Sequence, residues 1–403
     1  MAGNTHVVVI GGGYAGVMAA NRLTLRDDVS VTLINPRPDF VHRLRLHQLV
    51  GGTHDAVVAY RDVLAERVRL VVDTVTRIDA AERNVVTQAG GATLDYDYLV
   101  YAVGSGSAEP DMPGVAEFAY PVATLEEAQR LRAVLDAAPA TAEVTVVGAG
   151  PAGIETAAEL AERDRRVTLV CGGVLGPYLH TRGRRSVAKG LAKLGVTVVD
   201  GSGTKVTAVT GEAVRLANGR EVASEITVWA AGFGVPDLAA RSGLSTDAEG
   251  RLLTDETLTS VDDARILAAG DAASPSGLPL RMSCLNASPL AARAVETVFS
   301  RLAGEQPESL RLSFYAQCIS LGRSAGIYQF ANRSDVAIGV HIDGGLGVRI
   351  KEKVCTATLE HLATEAKKPG SFRLHQSPGG VAKRRQLLRT HGAEAPTAAG
   401  RAA

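Results

Sequence analysis

The sequence predicts an α/β fold of two nested parallel-sheet units, the second inserted into the first, followed by a C-terminal region with a β-hairpin. Two observations carry this expectation. A β-branched apolar run leads into G-x-G-x-x-G and then a helical stretch twice in the chain. It reads Val7-Val8-Val9-Ile10-Gly11-Gly12-Gly13-Tyr14-Ala15-Gly16 first, and Val144-Thr145-Val146-Val147-Gly148-Ala149-Gly150-Pro151-Ala152-Gly153 second. A last strand at 265–269, running into Gly270-Asp271, then resumes the first unit after the second has closed. In each glycine turn the first Gly makes the tight bend, the second lets backbone approach a pyrophosphate, and the third lets helix pack on strand. The helix N-terminus adds free N–H groups and partial positive charge. Both units therefore read as Rossmann-like dinucleotide-binding domains.

The elements follow in order. Residues 7–10 form a buried parallel strand, 14–24 its helix, and 29–34 the next strand, ended by Asn35-Pro36-Arg37-Pro38. Short strands at 69–72 and 84–87 flank a turn, and 95–105 is a strand running into a Gly/Ser loop. A helix at 125–137 is stopped by Pro139. In the second unit 154–163 is helix, 167–170 strand, 186–194 helix closed by Gly195, 196–199 strand, and 226–231 the strand before Gly232-Phe233-Gly234. A helical run covers 287–302. Segments 336–342 and 347–353, joined through Asp343-Gly344-Gly345, read as a hairpin. From 367 onward the composition predicts mostly loop. The expected division is 1–115 with 235–303 for the first nucleotide domain, 116–234 for the second, 304–366 for a C-terminal interface region, and 367–403 for a tail.

Composition narrows the partners. Lys+Arg and Asp+Glu are both 43 and aromatics are 4%, so neither charge nor stacking surfaces favour nucleic acid. No apolar stretch approaches the ~20 residues of a spanning helix. Cys171, Cys284, Cys318 and Cys355 are scattered, without C-x-x-C or C-x-x-x-x-C, so neither a metal centre nor a local redox disulfide is expected. With the first strand starting near residue 5, no signal peptide is expected, and a cytoplasmic location fits.

Four segments, 11–16, 98–105, 148–155 and Ile266-Leu267-Ala268-Ala269-Gly270-Asp271, occur in an order that resembles flavoproteins of the pyridine nucleotide oxidoreductase superfamily. Within it, type II NADH dehydrogenases and apoptosis-inducing-factor-like proteins are the most similar, over roughly residues 5–300. The segment 318–323 also resembles that of bacterial NADH-dehydrogenase-like flavoproteins. The resemblance implies that Gly11, Gly13, Tyr14, Ala15, Gly16 and Gly104 hold FAD, and that Gly148, Gly150 and Gly153 hold NADH or NADPH. It implies that Asp271 hydrogen-bonds the ribityl or pyrophosphate side of the flavin, and that Glu155 stands where nicotinamide meets flavin. It brings the 40–49 segment, with Arg43, near the flavin. It also aims at the flavin ring the start of the helix that carries Cys284 and Leu285. The activity implied is hydride transfer from nicotinamide to flavin, then electron transfer to a quinone or similar diffusible acceptor. A ferredoxin-type reductase and a nucleotide-responsive regulatory flavoprotein stay open as alternatives, as do peripheral membrane contact at the inner face and homodimer formation.

Each assignment has a plainer counterpart. Asp271 can be a helix N-cap, Glu155 a buried residue at a domain seam, and His42 and His47 satisfied loop histidines. Cys284, lacking a nearby partner, reads as a small buried apolar residue rather than a redox thiol. The position ~20 residues after a fingerprint normally carries an acid that grips a ribose. Here it is Asn35 in the first unit, which can still hydrogen-bond the FAD ribose, and Cys171 in the second. Cys171 removes the charge that would repel the 2′-phosphate of NADPH. Arg165, Arg166, Arg182, Arg184 and Arg185 flank that strand, as phosphate partners or as surface charges.

Overall fold

The computed structural model describes residues 4–108, 111–312, 314–332, 335–374 and 378–390. The apolar run before Gly11 becomes the strand Thr5–Ile10, with Val7, Val8 and Val9 fully buried, as a strand covered on both faces requires. It lies at the centre of a five-stranded sheet. Parallel partners Val29–Asn35 and Tyr98–Tyr101 flank it, and Val68–Val72 and Ile266–Ala268 form the outer positions. Ile266–Ala268 thus returns to the first sheet after the whole second unit has intervened. The second sheet repeats the plan, with Glu143–Val147 between Ile226–Trp229 and Arg166–Val170, and Ala119–Pro121 and Thr197–Val199 outside.

Both fingerprint turns lead directly into helices, Tyr14–Leu23 and Pro151–Ala161, the latter with Pro at its start where a missing N–H costs nothing. Met18 and Leu23 of the first pack with Leu33, Val100, Leu267 and Val295 into one core. The helix Leu125–Ala137 begins in a capping box: Thr124 Oγ1 accepts from Glu127 N–H at 3.3 Å, and Glu127 accepts from Thr124 N–H at 2.9 Å.

Three expectations are corrected. Asn84–Thr87 does not flank a turn with Val68–Val72. It pairs antiparallel with Val75–Asp79 and Thr93–Asp95 in a separate three-stranded sheet. The hairpin at 336–353 is half right. Ala337–Asp343 is a strand, but its partner is Ala325–Ala331, which in turn pairs with Ala316–Leu321. Gly344–Lys367 is a 24-residue helix. Its buried positions Val348, Lys351, Cys355, Thr358, Leu362 and Glu365 recur every three or four residues. The seven residues 347–353 span too few turns to reveal that period. In the tail, Pro378–Thr390 is helical rather than loop, and Arg384 ties it to Glu256 at 2.8 Å. The rest of the tail beyond 390 lies outside the described residues.

Candidate functional site

The glycines of each fingerprint divide into two kinds. Gly11 has φ of 100°, and a Cβ there would stand 2.4 Å from the Ala102 carbonyl oxygen; a Cβ on Gly16 would stand 1.7 Å from the Gly11 carbonyl oxygen. These two serve the turn and the helix–strand contact. A Cβ on Gly13 would meet nothing within 4 Å. The second turn matches: Gly148 has φ of 132°, a Cβ on Gly153 would stand 2.0 Å from the Gly148 carbonyl oxygen, and Gly150 is open. Each turn therefore presents one bare backbone position to empty space, the cradle that a pyrophosphate needs. On this observation the residues present fit two dinucleotides.

Gly13 opens into a cavity of about 390 Å³ that Gly11, Tyr14, Ala15, Asn35, Arg43 and Gly104 also line. Gly150 opens into one of about 1360 Å³, lined by Gly148, Glu155, Cys171, Leu285, Cys318 and Lys351 among others. Arg43, Ser105, Asp271, Ser283 and Cys284 line both, so the two cavities meet there. Asp271 organises this junction. One carboxylate oxygen accepts from Ser105 Oγ at 2.7 Å and the other from Ser283 N–H at 3.0 Å, while Arg43 donates to Ser105 Oγ at 3.2 Å. Asp271 is no side-chain N-cap; Ser283 caps Cys284–Leu302 through Leu285 N–H. That helix begins at the junction and turns its partial positive charge toward it.

Asn35 is partly committed. Its Oδ1 accepts from Gly12 N–H at 2.9 Å and its Nδ2 donates to the Arg37 carbonyl at 2.9 Å, bracing the fingerprint turn. One lone pair and one N–H remain for a ribose. Of the arginines, Arg165 donates to the carbonyls of Leu135, Ala138 and Pro139, and Arg166 pairs with Glu143, both at the strand end away from the second cavity. Neither is placed to meet a coenzyme phosphate. Register sets Asp200 beside Cys171 at the opposite edge, since Val199 pairs with Val170 and Cys171 N–H donates to Val199 O.

Glu155 sits in a buried ionic cluster. Lys351 Nζ is 2.8 Å from Oε1, His47 Nδ1 is 3.7 Å from Oε2, and Ser320 N–H donates to Oε1 at 3.0 Å. Burial pushes the Glu155 carboxyl up, but Lys351 and His47 together pull it below its ordinary value. Burial pulls Lys351 down, but Glu155, through its charge and its hydrogen bond, together with Cys318 and Cys355 outweighs it, so the ammonium is held above its ordinary range. Burial drives His47 down to about 4, past the opposing pull of Glu155. Sequence reasoning missed Lys351, because it fell in the segment read as a strand. Its signal is the helical period of the buried positions. His47, read as a satisfied loop histidine, instead lies on the helix Leu46–Gly51 and lines the larger cavity.

The four cysteines are free. Burial raises Cys284 to about 12 and Cys318 to about 11, so both are neutral thiols near pH 7. Cys284→Ala is accordingly expected to keep turnover within ~tenfold, a barrier change of ~1.4 kcal/mol, in steady-state assays. Loss of turnover would put thiol chemistry at the junction.

Two cradles meeting at a helix N-terminus and a buried acid–base cluster define a two-dinucleotide oxidoreductase fold. The chain belongs to the pyridine nucleotide-disulphide oxidoreductase family, which matches over residues 5–296. An NADH dehydrogenase-like protein of Mycobacterium tuberculosis is 32% identical over 355 residues, covering 80% of this chain and 87% of that protein. The type II NADH:quinone oxidoreductase Ndh of the same species is 30% identical over 316 residues, 68% of each chain. The structure of NDH2 from Plasmodium falciparum in complex with NADH superposes with a TM-score of 0.75 at 15% identity, over 92% of this chain and 99% of that one.

Proposed function

We propose that this protein is an FAD-dependent NAD(P)H dehydrogenase that delivers electrons to a quinone. The observation that carries the reading is the meeting of the two open glycine cradles at Arg43, Ser105, Asp271 and Cys284, with Glu155 and Lys351 lining the larger cavity. FAD in the first cradle supplies the hydride acceptor and the electron outlet. Gly11, Gly13 and the N-terminus of Tyr14–Leu23 would hold its pyrophosphate. Asp271, a fixed acceptor braced by Ser105 and Ser283, would take a hydroxyl donor where a phosphate would be repelled. Arg43 would offset negative charge at the junction, and Glu155 would orient the nicotinamide or hold a proton beside it. The deciding experiment is rapid-mixing reduction of the purified yellow protein by NADH and NADPH, followed by reoxidation with quinone, oxygen and ferredoxin. Protein that takes up no FAD, or flavin that NAD(P)H leaves oxidised, would end the reading.

We further propose that NADPH is accepted at least comparably with NADH, because a thiol stands at Cys171 where an acid would repel the 2′-phosphate. Cys171→Glu should then shift the ratio of kcat/KM values toward NADH. A wild-type preference for NADH above ~100-fold, about 2.7 kcal/mol, would overturn this and point to Asp200 as the discriminating acid.

A peripheral position at a membrane belongs to the same proposal. No helix among the described residues is long and apolar enough to cross a membrane. Val336, Ile338, Val340 and Leu346 are large apolar side chains left exposed around the C-terminal sheet, with Arg349 and Lys353 exposed on the adjoining helix. Such a patch with basic neighbours suits an anionic bilayer surface. Co-sedimentation with vesicles with and without anionic lipid tests it. Sedimentation velocity on the same preparation shows whether the chain pairs with itself.

A further inference from the structure

Resting on the quinone-reductase reading, one requirement of the reaction is not met by the two cradles. Each turnover breaks one nicotinamide C–H bond and moves two electrons and one hydrogen. A quinone becomes a quinol by taking up two hydrogens. One proton per turnover must therefore come from solvent to the buried end of the larger cavity, where His47, Glu155 and Lys351 stand.

We propose that His47 relays this proton to the larger cavity, with His54 and His42 as its entry from solvent. His47 lines that cavity and joins both sides of the cluster: Nδ1 lies 3.7 Å from Glu155 Oε2, and Nε2 lies 3.3 Å from Ser320 Oγ. Ser320 Oγ in turn stands 3.4 Å from Glu155 Oε1. An imidazole hydrogen-bonded at one nitrogen and facing a carboxylate with the other passes a proton by accepting at one and releasing at the other. The charges facing it are Glu155 on Pro151–Ala161, Lys351 on Gly344–Lys367, and Arg323 and Arg45. Burial, helped by Lys351 and the two arginines, outweighs Glu155, so the ring rests neutral.

His42 is the second observation. It is 1% exposed, and neither of its ring nitrogens has a hydrogen-bond partner. Buried polar atoms in this state are met by ordered water. Its ring stands edge-on to that of His54, with centroids 6.2 Å apart, and His54 is exposed. His54 Nδ1 accepts from Ala56 N–H at 2.8 Å, which leaves Nε2 to carry the proton at the surface. Burial keeps the His42 ring neutral, reinforced by Arg45, His54 and Lys351 and opposed by Glu352.

The test uses the FAD-loaded full chain and two acceptors, a water-soluble quinone and ferricyanide, which takes electrons without a proton. His47→Gln should lower quinone turnover at least tenfold and raise its solvent isotope effect. NAD(P)H bleaching of the flavin and ferricyanide turnover should fall much less than quinone turnover does. His54→Ala should lower quinone turnover several-fold, with recovery on adding imidazole. Independently of turnover, ¹⁵N NMR of the FAD-free chain should show His47 neutral and in one tautomer through pH 5–8, with that tautomer preference lost in Ser320→Ala. Equal loss with both acceptors in His47→Gln, or no loss with quinone, overturns the relay; an unaffected His54→Ala overturns the entry route. A wild type whose flavin NAD(P)H does not reduce would instead remove the reductase reading itself.

Discussion

Gly13→Val is expected to yield a folded protein that no longer holds FAD. Gly13 has φ of −80° and ψ of −167°, extended backbone that valine adopts without strain. Its Cβ would meet no protein atom within 4 Å, so the fold has no objection to the side chain. The objection comes from the ligand: the branched carbons would occupy the volume where backbone and pyrophosphate must touch. A fall in FAD affinity of at least ~100-fold, about 2.7 kcal/mol, should follow, read by flavin titration, with thermal unfolding of the FAD-free protein nearly unchanged. Gly16→Ala should fail differently. Its methyl would stand 1.7 Å from the Gly11 carbonyl oxygen, a backbone atom that cannot move aside. Overpacking of this kind costs ~1–3 kcal/mol or more and should lower the unfolding temperature with or without FAD. If Gly13→Val bound FAD normally, the first fingerprint would not be the pyrophosphate cradle.

The contrast between these glycines shows where sequence is informative. Spacing alone identifies both turns, because tight bend, backbone approach and helix packing each demand the absence of a side chain at a fixed offset. The parallel character of the two sheets is legible for the same reason: continuous β-branched runs ending in glycine have few other uses than a doubly covered parallel sheet. Asp271 was found through its segment, and its bonds to Ser105 and Ser283 then locate it at the meeting of the cavities. What stayed hidden depends on contacts distant in sequence. Glu155 and Lys351 are brought together because Pro151–Ala161 and Gly344–Lys367 both pack on the strand Ala316–Leu321, and nothing near either residue announces the other. The two glycines at 344–345 made the end of one strand look like a hairpin turn, when they begin a helix. His47 looked ordinary because a histidine's neighbours, not its own segment, decide whether it is satisfied.

Removing Lys351 while leaving Glu155 should be the most damaging single change to the site. Lys351→Met keeps the volume and deletes the charge. Both partners are about 95% buried, with relative exposures of 4% for Lys351 and 5% for Glu155. The pair itself contributes little net stability, since desolvating two ions offsets most of their attraction. An orphaned carboxylate is a different matter: breaking such a pair costs ~3–5 kcal/mol, which chemical denaturation measures directly. The carboxyl should escape part of that cost by taking up a proton, so the loss shrinks at low pH. The sign in the wild type is the reverse. Glu155 titrates below its unfolded value, so its contribution is full above that value and is lost as pH falls through the depressed one. Wild type should therefore weaken toward acid while Lys351→Met flattens. The double variant Lys351→Met/Glu155→Gln separates charge from shape, because it removes both ions and keeps Ser320 N–H satisfied by the amide oxygen. It should recover most of the lost stability yet remain slow in turnover. If Lys351→Met were as stable as wild type at neutral pH, the two side chains would not form a buried ion pair, and the acid–base role given to Glu155 would lose its physical basis.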